Sequence, residues 1–281
     1  MRKSILTLGI AAVLTGVLAT CSMAYAADDE LAQIQESGKL KVGVEGTYPP
    51  YTYHDDNGEL TGFDVEVAKA IADKLGVEAD FTESDWDSLL AGIDSGRLDT
   101  VINAVSITSE REEKYDFAGP YFYITQQIVV AKDNDDIVDM ASLDGKKVAN
   151  TATTAYLDIL EDAGASLVQI STADEAVSLI ESGRADFTTF NSVVFNEYLQ
   201  QHPDANLKVA FVIPDVVDTY AVPIKKGDAV QNAIDELKED GTLSKLSEDY
   251  FGTDFTQPQD ENADNTDTAS EDASAESTDE N

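Results

Sequence analysis

The sequence predicts an α/β protein with two lobes built on the same plan, each containing a mixed, mostly parallel sheet with flanking helices. Strand-like and helix-like segments alternate along the chain, a pattern typical of parallel sheets. A short motif also occurs twice, 87 residues apart, at residues 94–99 (Asp-Ser-Gly-Arg-Leu-Asp) and 181–186 (Glu-Ser-Gly-Arg-Ala-Asp). In each copy the Gly ends a helix and the last Asp begins a strand. Because ligands of open α/β sheets bind beyond the carboxyl ends of strands, two facing lobes predict a ligand cleft.

Residues 1–26 have the pattern of an export signal. Two basic residues precede an apolar run over residues 5–19, and a small-x-small cleavage site ends at Ala26. The run is too short for a permanent membrane span. A lipobox-like sequence at residues 18–21 competes with this site and would leave a lipidated Cys21. Cleavage after Ala26 is favoured because Thr precedes Cys21.

Composition limits the classes of partner and cofactor. Cys21 is the only cysteine of the 281 residues, so the folded part has neither disulfides nor thiolate metal ligands. The net charge of −37 argues against nucleic acid and anionic membranes as partners, which leaves a lipid on Cys21 as the route to a membrane. Residues 256–281 contain nine acids, no basic residue and almost no large apolar side chain, which predicts a disordered tail.

Hydrophobic periodicity and turn residues predict the elements in order. The first half contains strand Leu40–Val44, a Pro- and Tyr-rich loop, a hairpin turn at 54–58, a helix capped by Asp64 (Val65–Leu75), strand Val77–Thr82, helix Trp86–Ser95 and a strand ending at Ile102. The second half contains strand Gln126–Lys132, a short helix and turn Ile137–Asp144, strand Lys147–Asn150, helix Thr154–Ala163, strand Leu167–Ile170, helix Ala173–Ser182, strand Ala185–Phe190, helix Asn191–Gln201, strands Leu207–Ile213 and Thr219–Lys226, and helices Ala229–Lys238 and Leu243–Phe251.

The stretch 103–122 follows the strand that ends at Ile102. Ser109 and Glu112 form a capping-box pattern, which predicts a short helix with Arg111 in its first turn. A cation there, beside free backbone N–H groups and hydroxyls, is well placed for the carboxylate or phosphate of a ligand. The alternative is a surface ion pair between Arg111 and the acids that follow it.

Other polar residues at strand ends extend this prediction to an amino-acid site. Ser106, Thr153 and Thr154 add hydroxyls to Arg111 for a ligand carboxylate, although the two threonines also fit an ordinary helix cap. Glu45 and Asn191 end strands of the two lobes and fit a ligand ammonium, with a solvated carboxylate and a helix cap as the respective alternatives. Further residues are predicted to line the pocket: Tyr48, Tyr51, Trp86, Asn103 and Ala104.

Catalytic and metal-binding motifs are missing from the sequence. His54 and His202 have no partner at a recognised metal-motif spacing, and no Gly-x-Ser-x-Gly, P-loop or Gly-x-Gly-x-x-Gly motif occurs. We therefore expect no catalytic residue, no metal and no cofactor.

A family resemblance is carried by a series of motifs in order between Leu40 and Gly252. They are Leu40-Lys-Val-Gly with Tyr48-Pro-Pro-Tyr51, Gly62-Phe-Asp-Val65, Trp86-Asp-Ser-Leu-Leu90, Ser106-Ile-Thr-x-x-Arg111, Asp116-Phe-Ala-x-Pro-Tyr121, the repeated Ser-Gly-Arg-x-Asp, and Asp240-Gly-Thr-Leu243 through Tyr250-Phe-Gly252. With them the chain resembles the polar amino-acid-binding proteins of bacterial ABC importers.

The resemblance implies a type II periplasmic-binding-protein fold that closes around one amino acid and delivers it to an ABC permease. We expect the protein to be a monomer. In the family, the residue matching Arg111 clamps the ligand carboxylate, assisted by the hydroxyls matching Thr153 and Thr154. The crossings between lobes should fall near Ile124–Gln127 and Asp218–Ala221. Lobe 1 would then comprise residues 27–125 and 219–255, and lobe 2 residues 126–218. The location would be the periplasm or, with a lipid on Cys21, the outer face of the cell membrane.

Two departures bear on the ligand. Asn191 stands where the family commonly has an Asp for the ligand ammonium, which leaves more of that task to Glu45. Residues 149–156 lack the common Gly-Thr-Thr and, with Asn103, are closer to the cystine-type receptors, so cystine or a related polar amino acid is the expected ligand. Two alternatives remain: a dehydratase-like enzyme on this fold with Glu45 as its acid or base, and a sensory receptor.

Overall fold

The computed structural model describes residues 31–225 and 229–258. The predicted export signal, Cys21 and most of the predicted tail lie outside these residues. A helical stretch at 31–37 comes first. The elements that follow are β1 (Lys39–Val44), β2 (Thr47–Tyr48), β3 (Thr52–His54), β4 (Leu60–Thr61), α1 (Phe63–Leu75), β5 (Glu78–Glu83), α2 (Trp86–Asp94), β6 (Thr100–Val101) and α3 (Ser109–Glu112).

The second half continues the predicted alternation of strands and helices. Its elements are β7 (Asp116–Ala131), a 3-10 turn (Met140–Leu143), β8 (Lys147–Asn150), α4 (Leu157–Asp162), β9 (Ser166–Gln169), α5 (Ala173–Glu181), β10 (Phe187–Asn191), α6 (Ser192–Gln201), β11 (Leu207–Ile224), α7 (Ala229–Glu239) and α8 (Thr242–Phe251). The two glycines of the repeated motif, Gly96 and Gly183, follow α2 and α5 with φ of 72° and 67°. This left-handed backbone ends both helices, as predicted.

The strands form one eight-stranded sheet in the order β5-β1-β6-β11-β7-β10-β8-β9. In one half β1 is parallel to β5 and β6, and in the other β8 is parallel to β9 and β10. β7 and β11 are antiparallel to each other and long enough to belong to both halves. The two predicted mixed sheets are therefore halves of one hydrogen-bonded ladder. We call the half with β5, β1 and β6 the first lobe, and the half with β10, β8 and β9 the second lobe.

β7 and β11 are longer than the sequence pattern predicted. β7 begins at Asp116 instead of Gln126, because its first residues pair with the end of β11, where Asp116 lies opposite Ile224. The predicted break within β11 is a register irregularity between Val212 and Val217. Pro214 lies in this interval and has no N–H for the ladder, which accounts for an interruption that does not end the strand.

Two predicted helix caps lie at other residues. The N-cap of α3 is Thr108 instead of Ser109, and its Oγ1 accepts a hydrogen bond from the Arg111 N–H at 3.2 Å. The N-cap of α1 is Gly62 instead of Asp64. The Asp64 carboxylate is buried and accepts the Ala104 N–H at 2.6 Å, since a tertiary partner is within its reach. Sequence pattern alone does not distinguish a local cap from such a tertiary bond.

The first-lobe core is rich in aromatic rings and reaches the junction of the two lobes. Tyr51, Phe63 and Phe122 are fully buried there, and Phe122 stacks on Tyr220 at a centroid distance of 5.5 Å where β7 pairs with β11. The second lobe has its own apolar cluster around Val148 and Phe187. Rigid packing on both sides of the long strands fixes the positions of the strand ends that meet in the cleft.

Thr256, predicted as the first residue of the tail, is only 2% exposed and donates its hydroxyl to Asp254 at 2.6 Å, so the packed structure extends at least this far. Within residues 31–225 and 229–258, no helix combines the length and apolar character that a membrane crossing requires.

Candidate functional site

A cavity of about 130 Å³ lies between the two lobes. This is about ten times the space that one water needs, so the cavity has room for a small organic molecule. Eight of the predicted site residues line it: Glu45, Tyr48, Trp86, Asn103, Ala104, Ser106, Arg111 and Thr154.

The two lobes contribute different chemistry to the cavity. Of the described residues that line it, the carboxylic acid is Glu45 and the basic side chain is Arg111, both from the first lobe. The second lobe contributes amide and hydroxyl side chains, which are Asn150, Thr151, Thr154, Tyr156, Ser171, Thr172, Thr188 and Thr189. One anion and one cation above a hydroxyl-rich wall match a ligand that carries both charges.

Arg111 is 7% exposed and held by backbone oxygens of both lobes. Its Nη1 donates to the carbonyl oxygen of Ser106 at 2.8 Å, and its Nη2 donates to the carbonyl oxygen of Thr153 at 2.8 Å. The guanidinium also lies over the Trp86 ring, 5.3 Å from the centroid. Two fixed hydrogen bonds and a cation–π contact orient a planar fork that suits a carboxylate.

The charge of Arg111 is not matched by a carboxylate in direct contact. None of the ion pairs within 4.0 Å among the described residues involves Arg111, so the predicted surface pair with a neighbouring acid is absent from this region. Burial lowers the pKa of its guanidinium, and the charge of Asp218 opposes the shift. An arginine stays protonated under such conditions. The cavity therefore contains a buried cation with capacity for an anionic ligand.

Glu45 is fixed by a reciprocal pair of hydrogen bonds with Asn103. Its backbone N–H donates to Asn103 Oδ1 at 2.8 Å, and Asn103 Nδ2 donates to Glu45 Oε2 at 2.8 Å. The Thr52 hydroxyl donates to the same Asn103 Oδ1 at 2.7 Å and locks the amide orientation. Burial raises the pKa of Glu45 to about 7, the hydrogen bond from Asn103 opposes the shift, and the charges of Asp85 and Asp87 add to it.

Ala104, the next lining residue, has an unusual backbone conformation for a residue with a Cβ. Its φ is 50°, and its N–H donates to Asp64 Oδ2 at 2.6 Å. The other Asp64 oxygen accepts the Tyr121 hydroxyl at 3.0 Å. Burial raises the pKa of Asp64 to about 7, against the effect of both hydrogen bonds. The Asp64 carboxylate thus anchors a strained segment of the cavity wall.

Comparison with known proteins identifies the family. Residues 40–253 match the family model described as bacterial extracellular solute-binding proteins, family 3. The chain belongs to this family. The L-cystine-binding protein TcyA of Bacillus subtilis (strain 168) is 40% identical over 271 residues, which span 92% of this chain and 100% of that protein.

Two solved structures show the same two-lobed fold as this solute-binding protein. An ancestral arginine-binding protein bound to arginine is 37% identical with a TM-score of 0.70, over 76% of this chain and 99% of that one. The L-cystine solute receptor of Neisseria gonorrhoeae, in its unliganded open conformation, is 38% identical with a TM-score of 0.54, over 81% and 99%. The resemblance to amino-acid-binding proteins and the type II fold are confirmed.

Three predicted site residues of this solute-binding protein do not line the cavity. Tyr51 is fully buried behind Tyr48, with the two rings stacked at 5.5 Å. Thr153 offers its carbonyl to Arg111, while its hydroxyl donates to Asp87 at 2.7 Å. Both are displaced by contacts within the protein that the sequence did not indicate.

Asn191 is the third and takes the alternative role considered for it. It is fully buried, and its Oδ1 accepts the Val194 N–H at 2.8 Å, which caps α6. Its Nδ2 donates to the Tyr220 hydroxyl at 2.9 Å and the Tyr51 hydroxyl at 3.2 Å. With all its polar atoms engaged, Asn191 is a structural residue beneath the site.

Sequence reasoning missed a buried polar group at the junction of the lobes. Tyr156, Gln126 and Tyr220 line the cavity, and beneath them Asp218 is 5% exposed. Asp218 accepts hydrogen bonds from the Tyr156 hydroxyl and from Gln126 Nε2, the latter at 3.1 Å. Burial raises the pKa of Asp218, opposed by these bonds, by one from Ser106 and by the charge of Arg111. The available signal was that Asp218 is the only charged residue in the stretch Val216–Ile224.

Proposed function

We propose that this solute-binding protein is the receptor of an ABC importer and that it holds one polar amino acid between two closing lobes. The observation that carries the proposal is the buried Arg111 guanidinium in the cavity, which has no carboxylate within ion-pair distance among the described residues. A ligand carboxylate supplies that counter-charge, and its exclusion from water strengthens the pair.

The ligand ammonium is assigned to Glu45. It is the carboxylic acid among the described lining residues, and its hydrogen bond with Asn103 leaves Oε1 without a hydrogen-bond donor in the described part of the chain. Since the Asn191 side chain is engaged in the core, we remove it from the proposed ammonium site. Ser106 and Thr154 complete the carboxylate side, with the carbonyl of Thr153 acting through Arg111.

Cystine is the proposed ligand, with a related polar amino acid as the next candidate. A relative at 40% identity is named as an L-cystine-binding protein, and the solved receptor at 38% identity is an L-cystine receptor. Cystine carries two α-amino-acid groups joined by a disulfide. Arg111 and Glu45 hold one of these two groups. The other can form hydrogen bonds with the hydroxyl- and amide-rich wall of the second lobe.

The setting of the protein is part of the proposal. We place it in the periplasm after cleavage behind Ala26, with attachment to the outer face of the cell membrane through Cys21 as the alternative. It acts as a monomer that docks on the permease subunits of its importer. We propose that the chain changes lobes at residues 125/126 and 218/219, supported by the pairing of Thr125 with Val217 and of Ile124 with Asp218 at the centre of the long strands.

An enzyme on the same fold is the second candidate, and one observation favours it. Glu45 lines the cavity with a pKa of about 7, which is the range that general acid–base catalysis requires. The same Glu45 is equally suited to an ammonium, and the family and the relative named above are binding proteins. We therefore propose that the protein is not an enzyme.

The test is a thermal-unfolding screen of the purified protein against the proteinogenic amino acids and cystine. A ligand at about one hundred times its dissociation constant adds about 2.7 kcal/mol to the free energy of unfolding. We expect the largest shift in Tm with cystine and no chemical change in the recovered ligand. If no amino acid shifts the Tm, the receptor proposal fails, and if the recovered ligand is converted, the enzyme candidate replaces it.

A further inference from the structure

Asp87 of the first lobe makes hydrogen bonds to two separate segments of the second lobe. Its Oδ1 accepts from the Thr153 hydroxyl at 2.7 Å and from the Thr153 N–H at 3.3 Å. Its Oδ2 accepts from Gln169 Nε2 at 3.2 Å. Asp87 lies in the first turn of α2, whereas Thr153 follows β8 and Gln169 ends β9. One carboxylate therefore joins the first lobe to two segments of the second lobe.

The same contact is linked to the proposed ligand clamp. Thr153 is held by Asp87 through its N–H and hydroxyl and by Arg111 through its carbonyl oxygen. Arg111 in turn lies over Trp86, the residue that precedes Asp87. Thr153 thus forms hydrogen bonds with two first-lobe residues, Asp87 and Arg111. Because these hydrogen bonds join the two lobes, they break when the lobes separate.

We propose that Asp87 is a positioning residue that latches the two lobes in the closed state and thereby slows ligand release. The proposal rests on the proposed receptor function. Hydrogen bonds to a carboxylate are stronger than neutral ones, but Asp87, Thr153 and Gln169 are exposed, so the latch is a modest one. A contact made in one state alone shifts the equilibrium toward that state. Association begins from the open state, so removing the latch should not slow it and raises it only as far as the open population of the ligand-free protein grows.

The arrangement of the lobes agrees with a closed state held by such contacts. The two solved structures have nearly equal identity to this chain, 37% and 38%. The TM-score is nevertheless 0.70 with the arginine-bound protein and 0.54 with the unliganded open receptor. The lobes therefore lie closer to a ligand-bound arrangement than to an open one.

Asp85 provides a matched control for Asp87. Both are exposed acids at the start of α2, and Asp85 raises the pKa of Glu45 more than Asp87 does. Asp85 has no side-chain hydrogen bond to the helix it precedes, and no described residue of the second lobe bonds to its carboxylate. Asp85→Ala therefore removes a like charge near Glu45 without touching the latch.

The first measurement needs no ligand. Spin labels at Glu78→Cys and Glu161→Cys, exposed positions in the two lobes, report the inter-lobe distance in a Cys21→Ser background of the full chain. We expect Asp87→Ala to shift the distribution toward longer distances and Asp85→Ala to leave it unchanged. Equal distributions for Asp87→Ala and the parent protein overturn the latch, whatever the ligand is.

The second measurement follows cystine binding and release by the fluorescence of Trp86, the only tryptophan of the chain. We expect Asp87→Ala to raise the dissociation rate about three- to tenfold, with an association rate equal to or above that of the parent protein. Gln169→Ala should give a smaller increase, and adding it to Asp87→Ala should change little. A dissociation rate equal to that of Asp85→Ala contradicts the latch. Absence of cystine binding in the parent contradicts the proposed ligand, and the distance measurement then decides on the latch.

Discussion

The Arg111 guanidinium reaches across the cleft and donates a hydrogen bond to the Thr153 carbonyl oxygen at 2.8 Å. A cation of the first lobe is thus tied to the backbone of the second lobe, directly beside the cavity. This relationship joins the binding of an anionic group to the closure of the lobes, because the same side chain takes part in both.

Replacing Arg111 should weaken ligand binding strongly and leave the fold intact. Arg111→Ala removes the cation for the ligand carboxylate, a loss of about 3 kcal/mol or at least about 100-fold in affinity. Arg111→Lys should recover only part of it, because an ammonium lacks the planar fork. The measurement is titration of cystine with Trp86 fluorescence, with circular dichroism as the check on folding.

The matched control for Arg111 is Arg97→Ala, which removes an exposed arginine of the same lobe. Its affinity should equal that of the parent protein. Near-normal affinity in Arg111→Ala would show that the carboxylate is held elsewhere.

Ligand affinity should depend on pH through Glu45. Burial raises the pKa of Glu45 to about 7, so the side chain is largely neutral at pH 5.5 and largely ionised above pH 7.5. Because the ionised form attracts an ammonium, affinity should rise by about tenfold or more between these pH values.

Glu45→Gln should remove the pH dependence and keep the affinity near the low value that the parent protein has at pH 5.5. Glu110→Gln, at an exposed carboxylate, should leave the pH dependence as it is in the parent protein. Isothermal titration calorimetry at the two pH values provides the measurement. A profile that is unchanged in Glu45→Gln would exclude Glu45 as the ammonium partner.

The stability of the ligand-free protein should depend on pH through Asp64. Burial raises its pKa from the ordinary value of 3.8 to about 7, so between these values the folded state binds more protons than the unfolded state. The contribution of Asp64 to stability is therefore complete below about pH 4 and is lost as the pH rises through about 7.

Asp64→Asn should weaken this dependence, because the amide is neutral throughout and can still meet Ala104 and Tyr121. Asp56→Asn, at an exposed turn position, is the control. Urea unfolding at pH 4.5 and pH 7.5 measures the difference. Parallel pH profiles for Asp64→Asn and the parent would contradict this role of Asp64.

Glycine at position 104 should stabilise the protein. Ala104 has φ of 50°, where a Cβ is unfavourable, so Ala104→Gly relieves strain of about 1 kcal/mol. Ala91→Gly in the exposed face of α2 should have the opposite sign and cost about 1 kcal/mol. Chemical denaturation compares the two, and a destabilised Ala104→Gly would show that the methyl group packs more than it strains.

The sequence determined a large part of this architecture because the relevant signals are local. Apolar periodicity, Gly at helix ends and the repeated Ser-Gly-Arg-x-Asp motif predicted the order of the elements and the two-lobed plan. Glu45, Asn103 and Ser106 follow strands, and their place beside the cavity was predictable because the carboxyl ends of strands converge wherever such a sheet forms.

The tertiary structure alone decided which polar side chains face the cavity and which serve the fold. Asn191 was predicted to bind the ligand, yet it caps α6 beneath the site. Asp64 was predicted to cap a helix, yet it accepts a hydrogen bond from Ala104 in the cavity wall. Asp87 and Asp218 gave no local signal of their partners, which lie 62 to 92 residues away along the chain. A hydrogen bond depends on the distance and direction between two groups in space, and for residues far apart in sequence only the packed lobes set that geometry.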